Sequence, residues 1–234
     1  MKNVLKFGLA GIAALVLSST LTNSTAQGRL IFDGVYNIAG TYPDGSTYTG
    51  TMTAVPYGDG YRLKQIYPSV TYNGVGNDIG DYFAGSYLVD GRPSISIYQV
   101  TAANTLTGFW QDYDQAKEGT ETLTLTARAF SFVPSAPVSN TWNYAGTYGI
   151  RGDGYTATMV LSSFGDGYRA TYVSGGNTWR GIASYIGKYL AISWNSAGAP
   201  GITLFEGNPA SGDMSGFDMD YNTPKESLEV ATRR

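Results

Sequence analysis

The chain has 234 residues, a net charge of −3, and neither histidine nor cysteine. Without them, Ser-His-Asp triads, thiol catalysis, disulfides and most transition-metal sites are excluded. The mildly acidic balance and the lack of a basic stripe exclude a nucleic-acid partner. Abundant tyrosine (19 residues) and glycine (31 residues), with few charged residues, are typical of an extracellular β protein with many tight turns.

Residues 1–26 are predicted to be a cleaved secretory signal peptide. Lys2 and Lys6 precede an apolar run over residues 7–17, and the segment ends in the small residues Ser24, Thr25 and Ala26. The run is too short to span a bilayer comfortably. We therefore expect a secreted, periplasmic or cell-surface protein without an integral membrane span, whose mature chain begins near Gln27.

The remaining chain contains two related repeats. Residues 36–42 align with 142–148, residues 48–52 with 155–159, and a Gly-Asp-Gly-Tyr-Arg motif occurs at 58–62 and 165–169. Asp-Gly between alternating segments predicts a hairpin, because glycine tolerates the positive φ of a tight turn. The longest match pairs residues 72–87 with 179–194 at a constant offset of 107 residues.

Further matches follow along both repeats. Residues 94–98 align with 201–205, residues 106–110 with 214–218, and residues 121–123 with 226–228. Each repeat therefore has about eight short strands at the spacing of a sandwich or barrel, and no segment has the period of a helix. The predicted domains are residues 27–127 and 141–234, joined by a proline-containing linker over residues 128–140.

Eight hairpin-connected strands can close on themselves and leave no exposed edge. The sequence thus predicts an all-β protein made of two tandem antiparallel up-and-down β-barrels, of about eight strands each, related by an internal duplication. The alternative is one larger sheet system in which both repeats share a core.

Strand alternation predicts which side chains face the barrel interiors. In the first repeat the inward rows are Phe83, Gly85 and Tyr87, then Ile95, Ile97 and Gln99, then Leu106, Gly108 and Trp110. In the second they are Leu190, Ile192 and Trp194, then Ile202, Leu204 and Glu206, then Met214, Gly216 and Asp218. An inward carboxylate needs a partner, solvent, an ion or a polar group of a ligand. The predicted ligand-binding residues are Tyr87, Gln99, Trp110, Trp194, Glu206 and Asp218.

Three patterns leave alternatives open. Glu206 and Asp218 resemble the carboxylate pair of a glycoside hydrolase, although strand-end acids also simply reach water. Asp213, Asp218 and Asp220 offer calcium ligands but lack the ordered loop of a dedicated motif. Residues 151–153 spell Arg-Gly-Asp, which resembles an integrin-binding loop but aligns with an ordinary turn at residues 43–45. We expect no catalytic residue, no metal and no cofactor.

Aromatic side chains near the turns favour either a sugar-binding platform or ordinary cross-strand pairing. They are Tyr48, Tyr61, Tyr67, Tyr72, Tyr155, Tyr168, Tyr172 and Trp179.

The chain resembles bacterial secreted repeats labelled fibronectin-binding-like. The residues that carry this resemblance are the repeated Gly-Thr-Tyr opening, the Tyr-x-Gly-x-Met strand at 48–52, the Gly-Asp-Gly-Tyr-Arg hairpins and the Leu-Thr-Gly-Phe-Trp strand at 106–110. The strand count is similar to that of calycin barrels such as avidin and the lipocalins. These resemblances imply a β-barrel fold and transfer no binding residue. The second repeat has Asp218 where the first has Trp110, which indicates unequal functions.

The sequence therefore predicts an exported, non-enzymatic binding protein for a small ligand, a glycan or an extracellular macromolecule. The alternatives are a carboxylate-dependent glycan hydrolase and a structural or adhesive envelope component.

Overall fold

Sixteen antiparallel strands make up the described part of the chain. A computed structural model describes residues 30–127, 130, 142–223 and 225–234, and contains no helix within them. The first eight strands are β1 (Gly34–Thr41), β2 (Thr47–Tyr57), β3 (Gly60–Ile66), β4 (Thr71–Ile79), β5 (Tyr82–Val89), β6 (Arg92–Ala102), β7 (Thr105–Asp112) and β8 (Gly119–Leu125). The second eight are β9 (Gly146–Gly152), β10 (Tyr155–Phe164), β11 (Gly167–Ser174), β12 (Asn177–Ile186), β13 (Tyr189–Ser196), β14 (Ala199–Gly207), β15 (Met214–Asp220) and β16 (Ser227–Arg233).

Each set of eight strands forms its own closed barrel, in which every strand pairs with its neighbours in the chain. Pairing of β1 with β8 closes barrel 1, and pairing of β9 with β16 closes barrel 2. The two predicted hairpins form, but their turn residues are Gly-Asp and not Asp-Gly. Gly58 and Gly165 have φ angles of 61° and 62°, in the left-handed region, whereas Gly60 and Gly167 begin the next strands. The predicted fold class is thus confirmed, and the alternative of one shared sheet system is wrong.

An aromatic plug closes one end of each barrel. In barrel 1, Phe32 is fully buried against Phe83, and its backbone oxygen accepts a 2.6 Å hydrogen bond from Tyr36 Oη. In barrel 2, Tyr144 is equally buried, and its backbone oxygen accepts a 2.9 Å bond from Tyr148 Oη. The chain reverses at every turn, so the turns β1–β2, β3–β4, β5–β6 and β7–β8 lie together at the opposite, open end of barrel 1. The corresponding turns form the open end of barrel 2.

The two barrels dock through the outer faces of β4 to β6 and β12 to β14. A third buried cluster lies between them, and equivalent residues of the two repeats supply most of it: Val75, Tyr82, Ala84, Ile95, Ile97, Ile182, Ile186, Ala191, Ile202, Leu204 and Met219. Tyr82 stacks on its counterpart Tyr189, 107 residues later, with ring centroids 4.0 Å apart. Because the same surface of each repeat meets itself, the interface has the form of a two-fold, isologous contact.

The arginine of each repeated Gly-Asp-Gly-Tyr-Arg hairpin contacts the other barrel. Arg169 of barrel 2 lies over the rings of Phe164 and of Tyr113, which belongs to barrel 1. Arg62 of barrel 1 makes the same contact with Tyr57 and with Tyr221 of barrel 2. Each arginine therefore joins its own hairpin to the other barrel through cation–π contacts.

Hydrogen bonds donated by backbone amides beside these arginines connect the two barrels. Asp166 N donates to Ala116 O at 2.9 Å, and Glu226 N donates to Asp59 Oδ2 at 3.2 Å. Ala116 and Glu226 belong to the β7–β8 and β15–β16 turns at the open ends, whereas the hairpins at Asp166 and Asp59 lie at the plugged ends. The open ends of the two barrels therefore face opposite sides of the molecule.

The inward rows predicted for β6 and β14 are wrong. Ile95 and Ile97 face the other barrel, and Gln99 lies on the same outer face. Ile202, Leu204 and Glu206 are likewise on the outer face of β14. This outer face is apolar because the docking interface buries it, and the prediction wrongly places its apolar residues in the barrel interior. The inward side chains are instead Ser96, Tyr98 and Val100 in β6, and Thr203 and Phe205 in β14.

The other predicted rows are confirmed. Phe83, Tyr87 and Leu106 pack inside barrel 1, as Leu190, Ile192 and Met214 do inside barrel 2.

Two of the repeat alignments are also wrong. In the pairing registers, Met52 faces Tyr36 and Met159 faces Tyr148, so Tyr36 corresponds to Tyr148 rather than to Trp142. Likewise Glu121 pairs with Gly108 and Glu229 with Gly216, so Glu121 corresponds to Glu229 and not to Glu226. The two matched glycines confirm this, because a Cβ on either would come within 1.9 Å of the neighbouring strand's backbone oxygen.

The predicted signal peptide, and the predicted linker apart from Phe130, lie outside the described residues. Within the described ranges, no helix is long and apolar enough to cross a membrane.

Candidate ligand-binding cavities

Each barrel holds a cavity at its open end, and the cavity of barrel 2 combines aromatic walls with two carboxyl groups. It has a volume of about 340 Å³. Its lining consists of Tyr155, Ala157, Tyr172, Ser174, Trp179, Trp194, Ser196, Thr203, Asp218 and Glu229. These described lining residues include no lysine or arginine, so the charged groups at the wall are both acidic.

Glu229 is the more deeply buried of the two acids, with 3% of its surface exposed. Tyr155 Oη donates a hydrogen bond to its Oε1 atom, whereas Oε2 has no hydrogen-bond partner among the described residues. Burial raises the pKa of Glu229 to about 8, and the neighbouring Asp218 adds to this increase. A carboxyl group that is buried in this way is largely protonated at neutral pH.

Asp218 lies diagonally across from Glu229, because Asp218 pairs with Ser227 and Glu229 with Gly216 on the adjacent strand. Its Oδ1 atom also has no partner in the described part of the chain. Burial raises the pKa of Asp218 to about 6, against the lowering effect of a hydrogen bond from Ser227. At neutral pH Asp218 is therefore mostly ionised and Glu229 mostly protonated, so the pair carries about one negative charge.

Four aromatic rings surround these acids. Tyr172 and Trp179 are direct cross-strand partners on β11 and β12. Trp194 Nε1 donates to Thr203 Oγ1 at 3.2 Å, which orients the indole ring in the cavity wall. Tyr155 completes the set. Flat π faces beside carboxylate oxygens suit a ligand that has both apolar and hydrogen-bond-donating parts.

The cavity of barrel 1 has a volume of about 450 Å³ and a buried acid whose hydrogen bonds come from the protein itself. Glu121 Oε1 accepts hydrogen bonds from Tyr48 Oη at 2.7 Å and from Tyr67 Oη at 3.2 Å. Tyr98 Oη donates to Oε2. Burial raises the pKa of Glu121, and the three phenol hydrogen bonds oppose that increase.

The two cavities differ at positions that the registers make equivalent. Tyr48 corresponds to Tyr155, and the Glu121 carboxyl to that of Glu229, yet three phenols bind the first acid and one binds the second. Trp110 stands where barrel 2 has Asp218, and its ring packs on those of Tyr42 and Tyr48. A second acid, Asp112, also lines the cavity of barrel 1 and accepts a hydrogen bond from Ser94. The acids of barrel 1 therefore have protein hydrogen-bond donors, whereas Glu229 and Asp218 each keep an oxygen without a partner among the described residues.

Four of the predicted site residues line the cavities. Tyr87 and Trp110 line that of barrel 1, and Trp194 and Asp218 line that of barrel 2. Their role in binding stays a prediction. The other two residues do not reach a cavity. On the outer faces, Gln99 Nε2 donates to Asp81 Oδ2 at 3.3 Å, and Glu206 forms a half-exposed ion pair with Lys188.

The sequence reasoning missed the two central acids, Glu121 and Glu229. In β8, Glu121 shares a row with Leu123 and Leu125, and an acid on an apolar row is a signal that could have identified it. In β16 the apolar residues face outward and the acid faces inward, so the same signal would have failed there. Leu228 and Val230 suggest an apolar row but are 49% and 40% exposed, while Glu229 points inward between them.

Six of the eight turn-proximal aromatics also line the cavities: Tyr48, Tyr67, Tyr72, Tyr155, Tyr172 and Trp179. The other two, Tyr61 and Tyr168, pack with the aromatic plugs instead.

The proposed calcium ligands do not come together. Asp213 lies just before β15 and Asp220 is its last residue, about 23 Å away at the rise of an extended strand. No group of three acidic side chains in the described ranges could hold a metal ion. The Arg-Gly-Asp tripeptide runs from the end of β9 into its turn with β10, and Arg151 and Asp153 are exposed there. Its adhesive role stays a prediction.

Comparisons with known proteins name no family. No family model and no curated protein matches the chain. Among solved structures, it is similar to a protein of unknown function from the DUF3598 family of Nostoc punctiforme, with 12% identity, a TM-score of 0.27, and coverage of 87% of this chain and 96% of that one. It is also similar to a mutant of transferrin binding protein B from Haemophilus parasuis, with 8% identity, a TM-score of 0.26, and coverage of 88% and 76%. Superpositions this weak transfer no function.

Proposed function

We propose that the protein is an exported, non-enzymatic binding protein that takes up a small ligand at the open end of a barrel. The observation that carries the proposal is the pair of carboxyl oxygens, Asp218 Oδ1 and Glu229 Oε2, that have no partner among the described residues in the aromatic cavity of barrel 2. Buried polar atoms are nearly always hydrogen-bonded, and leaving one without a partner costs about 1–3 kcal/mol. A bound ligand that donates hydrogen bonds would remove this cost.

Export is supported by the amino-terminal sequence, with its two lysines, its short apolar run and its small residues before Gln27. The lack of cysteine is compatible with any compartment, because the two barrels need no disulfide to close. Mass spectrometry of the protein from its native host tests this part. A mature amino terminus near Gln27, outside the cytoplasm, is expected, and an intact Met1 in the cytoplasm would contradict it.

Ligand binding is tested by thermal unfolding of the mature chain against a library of small polar and aromatic compounds. A ligand that binds only the folded state raises the melting temperature with the logarithm of its concentration above the dissociation constant. At least one compound should do so, and the rise should be lost when Trp194 is replaced by alanine. A library-wide absence of stabilisation would contradict the proposal.

A glycan hydrolase is the second candidate, because two carboxyl groups with unequal pKa values face one cavity. The pair would be Asp218 and Glu229, since Glu206 is on the other side of the sheet. Turnover on a glycan panel that disappears in Glu229→Gln would favour this candidate over a binding protein.

A further inference from the structure

We propose that the cavity of barrel 2, and not that of barrel 1, is selective for a small organic cation, namely an ammonium group carried on an apolar or aromatic body. This inference rests on the proposed function and names its ligand class. It requires a wall that attracts positive charge, a wall that accepts an apolar body, and acceptors without protein partners.

Two buried carboxyl oxygens supply the acceptors. Glu229 is 97% buried, since only 3% of its surface is exposed, and its Oε2 atom has no partner among the described residues. Asp218 Oδ1 is a second such atom on the adjacent strand. The buried hydroxyl of Tyr172, in the same cavity, also has no partner among the described residues and can accept as well as donate. An ammonium group has three hydrogen-bond donors and no acceptor, which matches these oxygens once Glu229 has lost its proton. A carboxylate or phosphate ligand would instead meet two acids and, among the described lining residues, no cationic side chain.

The aromatic rings supply the second requirement. Tyr155, Tyr172, Trp179 and Trp194 all line the cavity, and aromatic faces attract cations through their quadrupole. The same rings offer apolar surface for the body of the ligand. A neutral sugar would also stack on such rings, but it would not balance the negative charge of the two acids.

The groups that face Glu229 set how binding depends on pH. They are the phenols of Tyr155 and Tyr172 and the carboxyl of Asp218, with Asp153 and Asp220 close enough to act on Asp218. Among these groups no positive charge competes for the acids. A bound ammonium would stabilise the ionised form of Glu229, so its proton would leave to the solvent on binding at neutral pH.

Barrel 1 provides the internal contrast. Its cavity also has two acids, but the protein itself hydrogen-bonds both of them. Glu121 accepts hydrogen bonds from three tyrosine hydroxyls, and Asp112 accepts one from Ser94. Neither acid has a buried oxygen without a partner among the described residues, and Trp110 stands at the position of Asp218. A cation entering barrel 1 would have to displace the phenol hydrogen bonds of Glu121 or the serine hydrogen bond of Asp112. Selectivity for cations is therefore confined to barrel 2.

The experiment is isothermal titration of the mature chain at pH 7 with tyramine and choline, each beside its neutral isostere, tyrosol and 3,3-dimethylbutan-1-ol. At least one cation should bind at least tenfold more tightly than its isostere. The affinity should fall at least tenfold in Asp218→Asn and Glu229→Gln. Glu206→Gln, a carboxylate change on the outer face of the same barrel, should leave it unchanged. The heat should differ between Tris and phosphate buffers by a net proton release that is absent in Glu229→Gln.

The outcomes separate this inference from the proposed function. If a neutral isostere binds as tightly as its cation and Asp218→Asn has no effect, the ligand class is wrong while a binding function stands. If neither cation binds, cation selectivity is overturned whatever a wider library shows, and failure of that library as well overturns the binding function. Each variant must keep the near-ultraviolet circular dichroism of the parent. Should Asp218→Asn fail to fold, Trp179→Phe with the same ligand pairs takes its place, and an unchanged cation preference would overturn the proposal.

Discussion

The hydroxyl oxygens of Ser86 and Ser193 lie 2.7 Å apart, and the two serines occupy the same position in the two repeats. Ser86 also donates to Gly201 O at 2.8 Å, so its single proton is used and Ser193 is the donor to Ser86. Both side chains are fully buried between the barrels. Equivalent residues of the two repeats contact each other here, so this hydrogen bond lies at the centre of the pseudo-two-fold interface between the barrels.

A double-mutant cycle on these serines tests the interface. Ser86→Ala should lower the free energy of unfolding by about 1–3 kcal/mol, because it leaves Ser193 without its acceptor. The double variant Ser86→Ala/Ser193→Ala should cost less than the sum of the single changes, with a coupling of about 1 kcal/mol. Urea unfolding measures all four proteins. Strictly additive effects would mean that the two hydroxyls do not interact.

The two central acids should differ in their structural roles. Glu121→Ala removes the acceptor of three tyrosine hydroxyls and should destabilise the protein by about 3 kcal/mol. Glu229→Ala is the matched change in barrel 2, where one phenol loses its acceptor but a buried oxygen without a partner is also removed, so it should cost less than about 1 kcal/mol. Urea unfolding compares them directly. Equal losses would contradict the assignment of Glu121 to structure and of Glu229 to a ligand.

Stability should fall with rising pH through Glu229. Its folded pKa is about 8, above the ordinary value of 4.5, so the folded state binds more protons than the unfolded chain between these values. The stabilisation is complete below about pH 4.5 and is lost as pH approaches about 8. Melting temperatures from pH 5 to 9 should decline less in Glu229→Gln than in the parent. Parallel curves would show that Glu229 titrates normally.

Glu118 should make barrel docking sensitive to pH. This side chain belongs to barrel 1 and accepts a hydrogen bond from Ser184 of barrel 2, and burial raises its pKa to about 7. Because the folded pKa of Glu118 lies above its ordinary value of 4.5, the folded state binds more protons than the unfolded chain between these values. The contribution of Glu118 to the free energy of unfolding is therefore complete below about pH 4.5 and is lost as the pH approaches about 7. Glu118→Gln should flatten the melting temperature between pH 5 and 7.5, while Glu206→Gln on the exposed surface should not. A variant curve that follows the parent throughout would contradict this role.

Much of the fold could be predicted from sequence because turn chemistry and duplication act locally. The Asp-Gly hairpins and the strand spacing led to two eight-stranded barrels, and alternation correctly placed Tyr87 and Trp194 inside. The rows at Gln99 and Glu206 were wrong for a tertiary reason. A strand that is buried on both faces has two apolar rows, and alternation alone does not tell which of them faces the other barrel.

The site was harder to predict than the fold, because its central acids can be identified only from the pairing register of neighbouring strands. Glu121 and Glu229 become equivalent only when each is seen opposite its glycine, Gly108 or Gly216, and the sequence aligned Glu121 with Glu226 instead. The divergence of Trp110 and Asp218 was identified correctly. The role of this divergence depends on the position of Glu229 beside Asp218 on the adjacent strand, and no linear sequence motif shows that proximity.

A crystal structure of the mature chain with tyramine tests the central claim most directly. We predict that the ammonium nitrogen lies within hydrogen-bonding distance of Asp218 Oδ1 and Glu229 Oε2, with the phenol ring among Tyr172, Trp179 and Trp194. The cavity of barrel 1 should hold no amine. Tyramine bound only outside barrel 2, with water alone on the two carboxyl groups, would contradict the account.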